Sequence, residues 1–231
     1  MPCRMPAANL HHVRRNRSVA RAAAVALLFT WLLPLAACND DPATPATGQV
    51  VLDQQNLYDG VMGGQAIGRF SDISGAPDPA GTAYDLQDAQ SFTAGISGRL
   101  ARIRLPIVRQ TGCDLPVELQ LRELPGGVPD PDDGRVLGAV ALPASAFAAV
   151  LKDDPDTWAT FDVSGLEVQV TAGQAYCFSV RTADPKGFLY SPELDHAYAA
   201  GGSYRRNRAA GANWGGMGDW DYGFQVWVER D

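Results

Sequence analysis

Histidine, cysteine and basic charge are scarce in this chain, and each shortage narrows its chemistry. His11 and His12 precede residue 38, so His196 is the only histidine after it, and a Ser-His-Asp triad would have to run through that residue. Its setting, Leu194-Asp195-His196-Ala197-Tyr198, reads as a polar surface loop, which argues against catalysis. No glycine loop followed by Lys-Ser or Lys-Thr cradles a phosphate, and no dinucleotide fingerprint opens a helix. All 26 acidic residues follow residue 38, whereas five of the 19 basic ones precede it, leaving 14 against 26 and a net charge of −12. That balance disfavours nucleic acid, and anionic bilayers held by charge alone. The expectation is a non-enzyme.

Long apolar runs are missing too. Ala22 to Leu33 is too short to span a bilayer, follows Arg14, Arg15, Arg17 and Arg21, and ends at Leu35-Ala36-Ala37-Cys38. This resembles a bacterial lipoprotein signal. The resemblance implies that residues 1–37 are removed and that Cys38 carries acyl chains, including palmitate, placing the domain outside the cytoplasm on an inner or outer envelope membrane. Residues 39–48, with no hydrophobic side chain larger than alanine, form a flexible tether behind the lipidated cysteine. Residues 49–231 form one domain.

Cys113 and Cys177 remain once Cys3 leaves with the leader and Cys38 takes lipid, and an even pair in an exported protein reads as a disulfide. Closing that loop would constrain the unfolded chain by roughly 4 kcal/mol. Metal ligation is the alternative, though two thiols and one histidine make a poor zinc set.

From Gln49 onward the hydrophobic period is two. Ile103, Leu105 and Ile107 alternate with Arg102 and Arg104, Val117, Leu119 and Leu121 with Glu118, Gln120 and Arg122, and Phe224, Val226 and Val228 with Gln225, Trp227 and Glu229. Leu100 breaks its strand's parity, which a bulge or a strand start would explain. Only Ala144 to Leu151 has helical composition. Turns such as Pro125-Gly126-Gly127, Asp133-Gly134 and Gly201-Gly202 punctuate the pattern. These features predict an all-β fold: an antiparallel two-sheet β-sandwich, jelly-roll-like, of about ten strands.

Several short motifs occur in order: Asp53-Gln54, Ala89-Gln90-Ser91-Phe92-Thr93-Ala94-Gly95 with Gly98-Arg99-Leu100, Val136-Leu137-Gly138, Leu142-Pro143-Ala144-Ser145, Trp158-x-x-Phe161-Asp162, Val170-Thr171-Ala172-Gly173-Gln174-x-Tyr176, Ala200-Gly201-Gly202-Ser203-Tyr204 and Asp221-x-x-Phe224. Their order resembles uncharacterised extracellular β-sandwich modules of bacteria and, more distantly, carbohydrate-binding-module jelly rolls. The resemblance implies a secreted, non-catalytic module and assigns no ligand.

The acidic runs Asp130-Pro131-Asp132-Asp133 and Asp153-Asp154-Pro155-Asp156 read as solvated hairpin ends. The first opens like a calcium loop, but Ala141 stands where an EF-hand needs its bidentate glutamate. No cofactor is expected, although Ca2+ held between several loops stays open.

The last third is rich in rings among polar residues. Trp214 and Trp220 are candidate stacking platforms for a sugar, with Tyr204, Tyr222, Arg206, Asn213, Asp219 and Asp221 at the rim. The competing reading packs these rings as satellite core, and for Tyr176, Phe178 and Phe224 core is the expectation. The functional expectation is an anchored module whose partners are the membrane and either a polysaccharide or another envelope protein. The alternatives are a structural or protein-interaction lipoprotein and a small polysaccharide lyase.

Overall fold

The computed structural model describes residues 48–57, 65–70, 84–130, 135–149, 155–184, 188–190, 192–194, 198–218 and 220–231. Cys38, Asp219, His196, residues 131–133 of the first acidic run and 153–154 of the second lie outside them. The strands are β1 (Val50–Asn56), β2 (Gln65–Phe70), β3 (Tyr84–Thr93), β4 (Gly98–Leu105), β5 (Ile107–Arg109), β6 (Val117–Arg122), β7 (Val136–Leu142) and β8 (Ala159–Asp162). They continue with β9 (Gln169–Val170), β10 (Ala175–Thr182), β11 (Phe188–Tyr190), β12 (Pro192–Leu194), β13 (Ser203–Asn207), β14 (Gly215–Gly216), β15 (Trp220–Tyr222) and β16 (Phe224–Arg230).

The architecture is the expected all-β antiparallel sandwich. One sheet runs β1–β16–β4–β8 with β9 on β4; the other runs β5–β11–β2–β3–β10–β6–β7 with β13 on β3 and β14 on β13; β12 and β15 form a small ribbon. Alternation sends Leu119, Leu121, Phe178 and Val180 of the larger sheet inward against Ile103, Leu105, Phe161, Phe224, Val226 and Val228 of the smaller. Burying such side chains stabilises by about 1.5–3 kcal/mol each.

The structure changes two sequence readings. Ile103, Leu105 and Ile107 do not share one strand, because Pro106 has no N–H for a ladder and the chain crosses there from one sheet to the other. The described part of the Ala144 to Leu151 stretch, residues 144–149, is not an α-helix: a single 3-10 turn, Ala144–Ala146, precedes Phe147, which packs into the core. Strand β3 begins at Tyr84, five residues before the Ala89-Gln90-Ser91-Phe92-Thr93-Ala94-Gly95 motif. The parity break at Leu100 is a bulge, seen as a register shift opposite Trp227 and Val228.

Two motif glycines have a steric reason. At Gly98, with φ of +151°, a Cβ would overlap the Glu229 carbonyl; at Gly201 it would overlap that of Ser91. The second approach lets the chain before β13 lie on β3, where Gly202 and Ser91 exchange hydrogen bonds.

Candidate functional site

Register fixes which side chains reach the outer face of the larger sheet. Ala139, Gln120, Ser179, Ala89 and Tyr204 form one rung across β7, β6, β10, β3 and β13. Arg122, Cys177 and Ser91 make the next, and Gln87 pairs with Arg206 on the other side. Alternation predicts that these polar groups meet water. Instead Arg122 and Cys177 are 0% exposed, Gln87 1%, Ser179 2%, Gln120 4% and Arg206 5%.

Their cover is Trp214, which with Ala89, Cys177, Leu124 and Tyr204 forms a second apolar cluster. The Arg206 guanidinium lies 4.4 Å from the Trp214 ring centroid and that of Arg122 5.9 Å from it, a double cation–π contact. Below the ring, Arg122 donates to Ser179 Oγ (2.9 Å), the Asp130 carbonyl (2.9 Å) and Gln120 Oε1. Gln120 donates to Glu118, whose carboxylate also takes Arg181 at 2.9 Å; Asp130 in turn pairs with Arg135 at 2.7 Å. One charge-assisted network therefore crosses the face. Asp130 is 3% exposed and belongs to it, which corrects its reading as a solvated hairpin end.

Cys113 and Cys177 form no disulfide, which corrects the sequence reading. Phe178 and Val180 point into the sandwich, so Cys177 points outward under Trp214, whereas Cys113 sits in the core between the sheets. The sheet therefore lies between the two sulfurs, too far apart to bond. Burial pushes the Cys177 thiol far up, the nearby Arg122 offsetting little of it, so it is an inert packing group. We expect protein denatured without reductant to expose two alkylatable thiols, and reductant to leave the native melting temperature unchanged; a linked peptide pair in non-reducing mass mapping would contradict this.

The predicted aromatic site does not gather into one surface. Trp214 is covered at 7% exposure, whereas Trp220 is half-buried on β15, where its carbonyl accepts from Ser203. Tyr222 is fully buried, its amide donating to Gln90 and its hydroxyl to Met217. Asp221 is buried and accepts from Gln90 Nε2 (2.8 Å) and the Tyr198 amide (2.6 Å); burial raises its pKa despite those bonds. Arg206 holds Gln87 Oε1 at 2.8 and 2.9 Å, Tyr204 donates to the Gly127 carbonyl, and among the described candidates only Asn213 is exposed. Tyr204, Arg206 and Trp214 share the outer face, while Tyr222 and Asp221 belong to the interior. Phe178 and Phe224 are core, as expected, and Tyr176 packs against it.

At one end of the same face lies a groove of about 390 Å³ lined by Asp85, Gln87, Pro116, Glu118, Ala141, Arg181 and Arg208, among others. Gln87 Nε2 has no hydrogen-bond partner, although its Oε1 is held by Arg206. The groove thus combines the buried Gln87, an Arg181–Glu118 pair, and the exposed apolar residues Pro116, Ala141 and Ala183. Nothing in the sequence pattern signals Gln87, since β3 carries polar residues on both faces. Among the described residues no group of three or more histidine, cysteine or acidic side chains could hold a metal ion. No protein-family model matches the chain, and no curated protein is significantly similar to it.

Proposed function

We propose that this is a membrane-anchored envelope lipoprotein whose sandwich is a non-catalytic module that binds glycan in the groove beside Gln87. The unpartnered amide of a residue 1% exposed is the observation that carries it, because a buried donor without an acceptor costs about 1–3 kcal/mol that a ligand oxygen would recover. The existing Arg181–Glu118 pair favours a neutral ligand, which need not break it. Hydroxyls can accept from Gln87 and Arg208 and donate to Glu118 and Asp85, while Pro116 and Ala141 meet the C–H face of a sugar ring.

Ala141→Trp tests this by filling the groove from the exposed strand β7. Its melting temperature should stay within a few degrees of wild type. Binding to the polysaccharide that wild type retains in a broad panel should fall at least ten-fold, a change of about 1.4 kcal/mol. If the variant binds as wild type does, the groove is not the site; if wild type binds no polysaccharide, the glycan reading fails. The anchor is tested separately: Cys38→Ala should leave an unlipidated, larger precursor, and normal processing with unchanged detergent partitioning would refute it.

A further inference from the structure

The opposite outer face, on the five-stranded sheet, has a different character. Register places Val50, Glu229, Arg99 and Gln169 in one row, Leu52, Trp227, Arg102 and Asp162 in the next, and Gln55, Gln225, Arg104 and Thr160 in a third. Val50 and Leu52 are 40% and 37% exposed. The Arg102 guanidinium lies 4.1 Å from the Trp227 ring centroid and that of Arg104 5.6 Å from it. Arg99 pairs with Glu229, Arg104 with Asp156, and Asp162 stands opposite Arg102, so in a strongly acidic chain this face is balanced in charge and joins three arginines to exposed Val50 and Leu52 and the half-buried Trp227 ring.

The tether leaves from the same place. The Gly48 amide donates to the Arg230 carbonyl (2.8 Å) and the Arg230 amide to that of Gln49 (3.1 Å), so the chain is stitched to β16 up to the first row. From Gly48 back to Cys38 there are ten residue steps, a reach of about 30–35 Å when fully extended. A folded domain of this length is about 40 Å across. An anchored Cys38 therefore keeps this face within easy reach of the bilayer, whereas the groove on the other sheet stands at the limit of the tether.

We propose that the outer face of the five-stranded sheet rests on the phospholipid headgroups of the membrane that holds Cys38. Trp227, Leu52 and Val50 enter the interfacial layer, where tryptophan is favoured, and Arg102, which stands outside both ion pairs, meets lipid phosphate. The net negative charge, which would keep an untethered domain off an anionic surface, turns the remaining surface away from it, so the groove faces outward. The inference rests on the Cys38 anchor and is independent of the glycan.

The test reconstitutes the full lipidated protein into vesicles of phosphatidylethanolamine and phosphatidylglycerol, with acyl chains brominated near the headgroup. Tryptophan emission should be quenched in the wild type, and Trp227→Phe should abolish that quenching while keeping its melting temperature in detergent. Leu52→Glu, which leaves the ring in place, should weaken it. Amide exchange over Val50–Leu52 and Gln225–Glu229 should be slower in vesicles than in micelles. Lipid found on Cys38 by mass, with unquenched tryptophan and unchanged exchange, would overturn the proposal and leave the anchor standing. No lipid on Cys38 would remove both. Protection of the same amides by self-association in detergent, without quenching in vesicles, would assign the face to a second copy and overturn the proposal too.

Discussion

Trp214→Ala should destabilise the domain by about 3 kcal/mol and open Cys177 to thiol reagents under native conditions. Truncating a buried aromatic ring to alanine costs about 3–5 kcal/mol. The lower end applies because the Trp214 indole N–H has no partner, so the wild type already carries a desolvation cost that the variant sheds. At this chain length each kcal/mol moves the melting temperature by about 2–4 °C, giving a fall of roughly 6–12 °C. The thiol readout is the more specific. Cys177 is 0% exposed beneath that ring, so maleimide labelling should pass from undetectable in the native wild type to rapid in the variant. Trp214→Phe, which keeps a ring between the arginines and removes the idle donor, should stay within about 1 kcal/mol of wild type. A Trp214→Ala protein with native melting temperature and a protected Cys177 would return the ring to the surface role that the sequence offered for it.

Arg122→Met should cost about 3–5 kcal/mol in chemical denaturation, because removing one member of a buried charged network strands the others. Ser179 Oγ, Gln120 Oε1 and the Asp130 carbonyl would each lose a donor in a space that excludes water. Methionine fills much of the arginine volume, so the loss reports hydrogen bonding rather than a cavity. Because Trp214 covers the same guanidinium, combining Arg122→Met with Trp214→Ala should cost less than the sum of the two, with a coupling of about 0.5–3 kcal/mol. Strict additivity, or an Arg122→Met variant as stable as wild type, would show that the network contributes little.

Both variants act on a layer that strand alternation cannot reveal. Period-two patterning tells which side chains leave one face of a strand and which leave the other; it is silent on what covers the outward set. Glu118, Gln120 and Arg122 were legible as outward-facing, and they are, yet two of the three are buried because Trp214 and the chain around Asp130 return over them. The partners of β3 are equally remote. Asp88 and Gln90 point inward among apolar residues and obscure the alternation of that strand, and their satisfaction by Arg205 and Tyr222 comes from more than a hundred residues away. A cysteine count pairs Cys113 with Cys177, but a count carries no information about which side of a sheet a sulfur occupies.

The sequence by itself determined the fold class, the facing of Phe178, Phe224, Val226 and Val228, and the parity break at Leu100, because each depends on parity within a single strand and on the loss of water from apolar side chains. Only the tertiary structure decided that Pro106 sends the chain between sheets, that the two cysteines lie on opposite sides of one sheet, and that Trp214 is a cover rather than a platform. Those outcomes depend on which distant segments share a surface, and no local period encodes that choice.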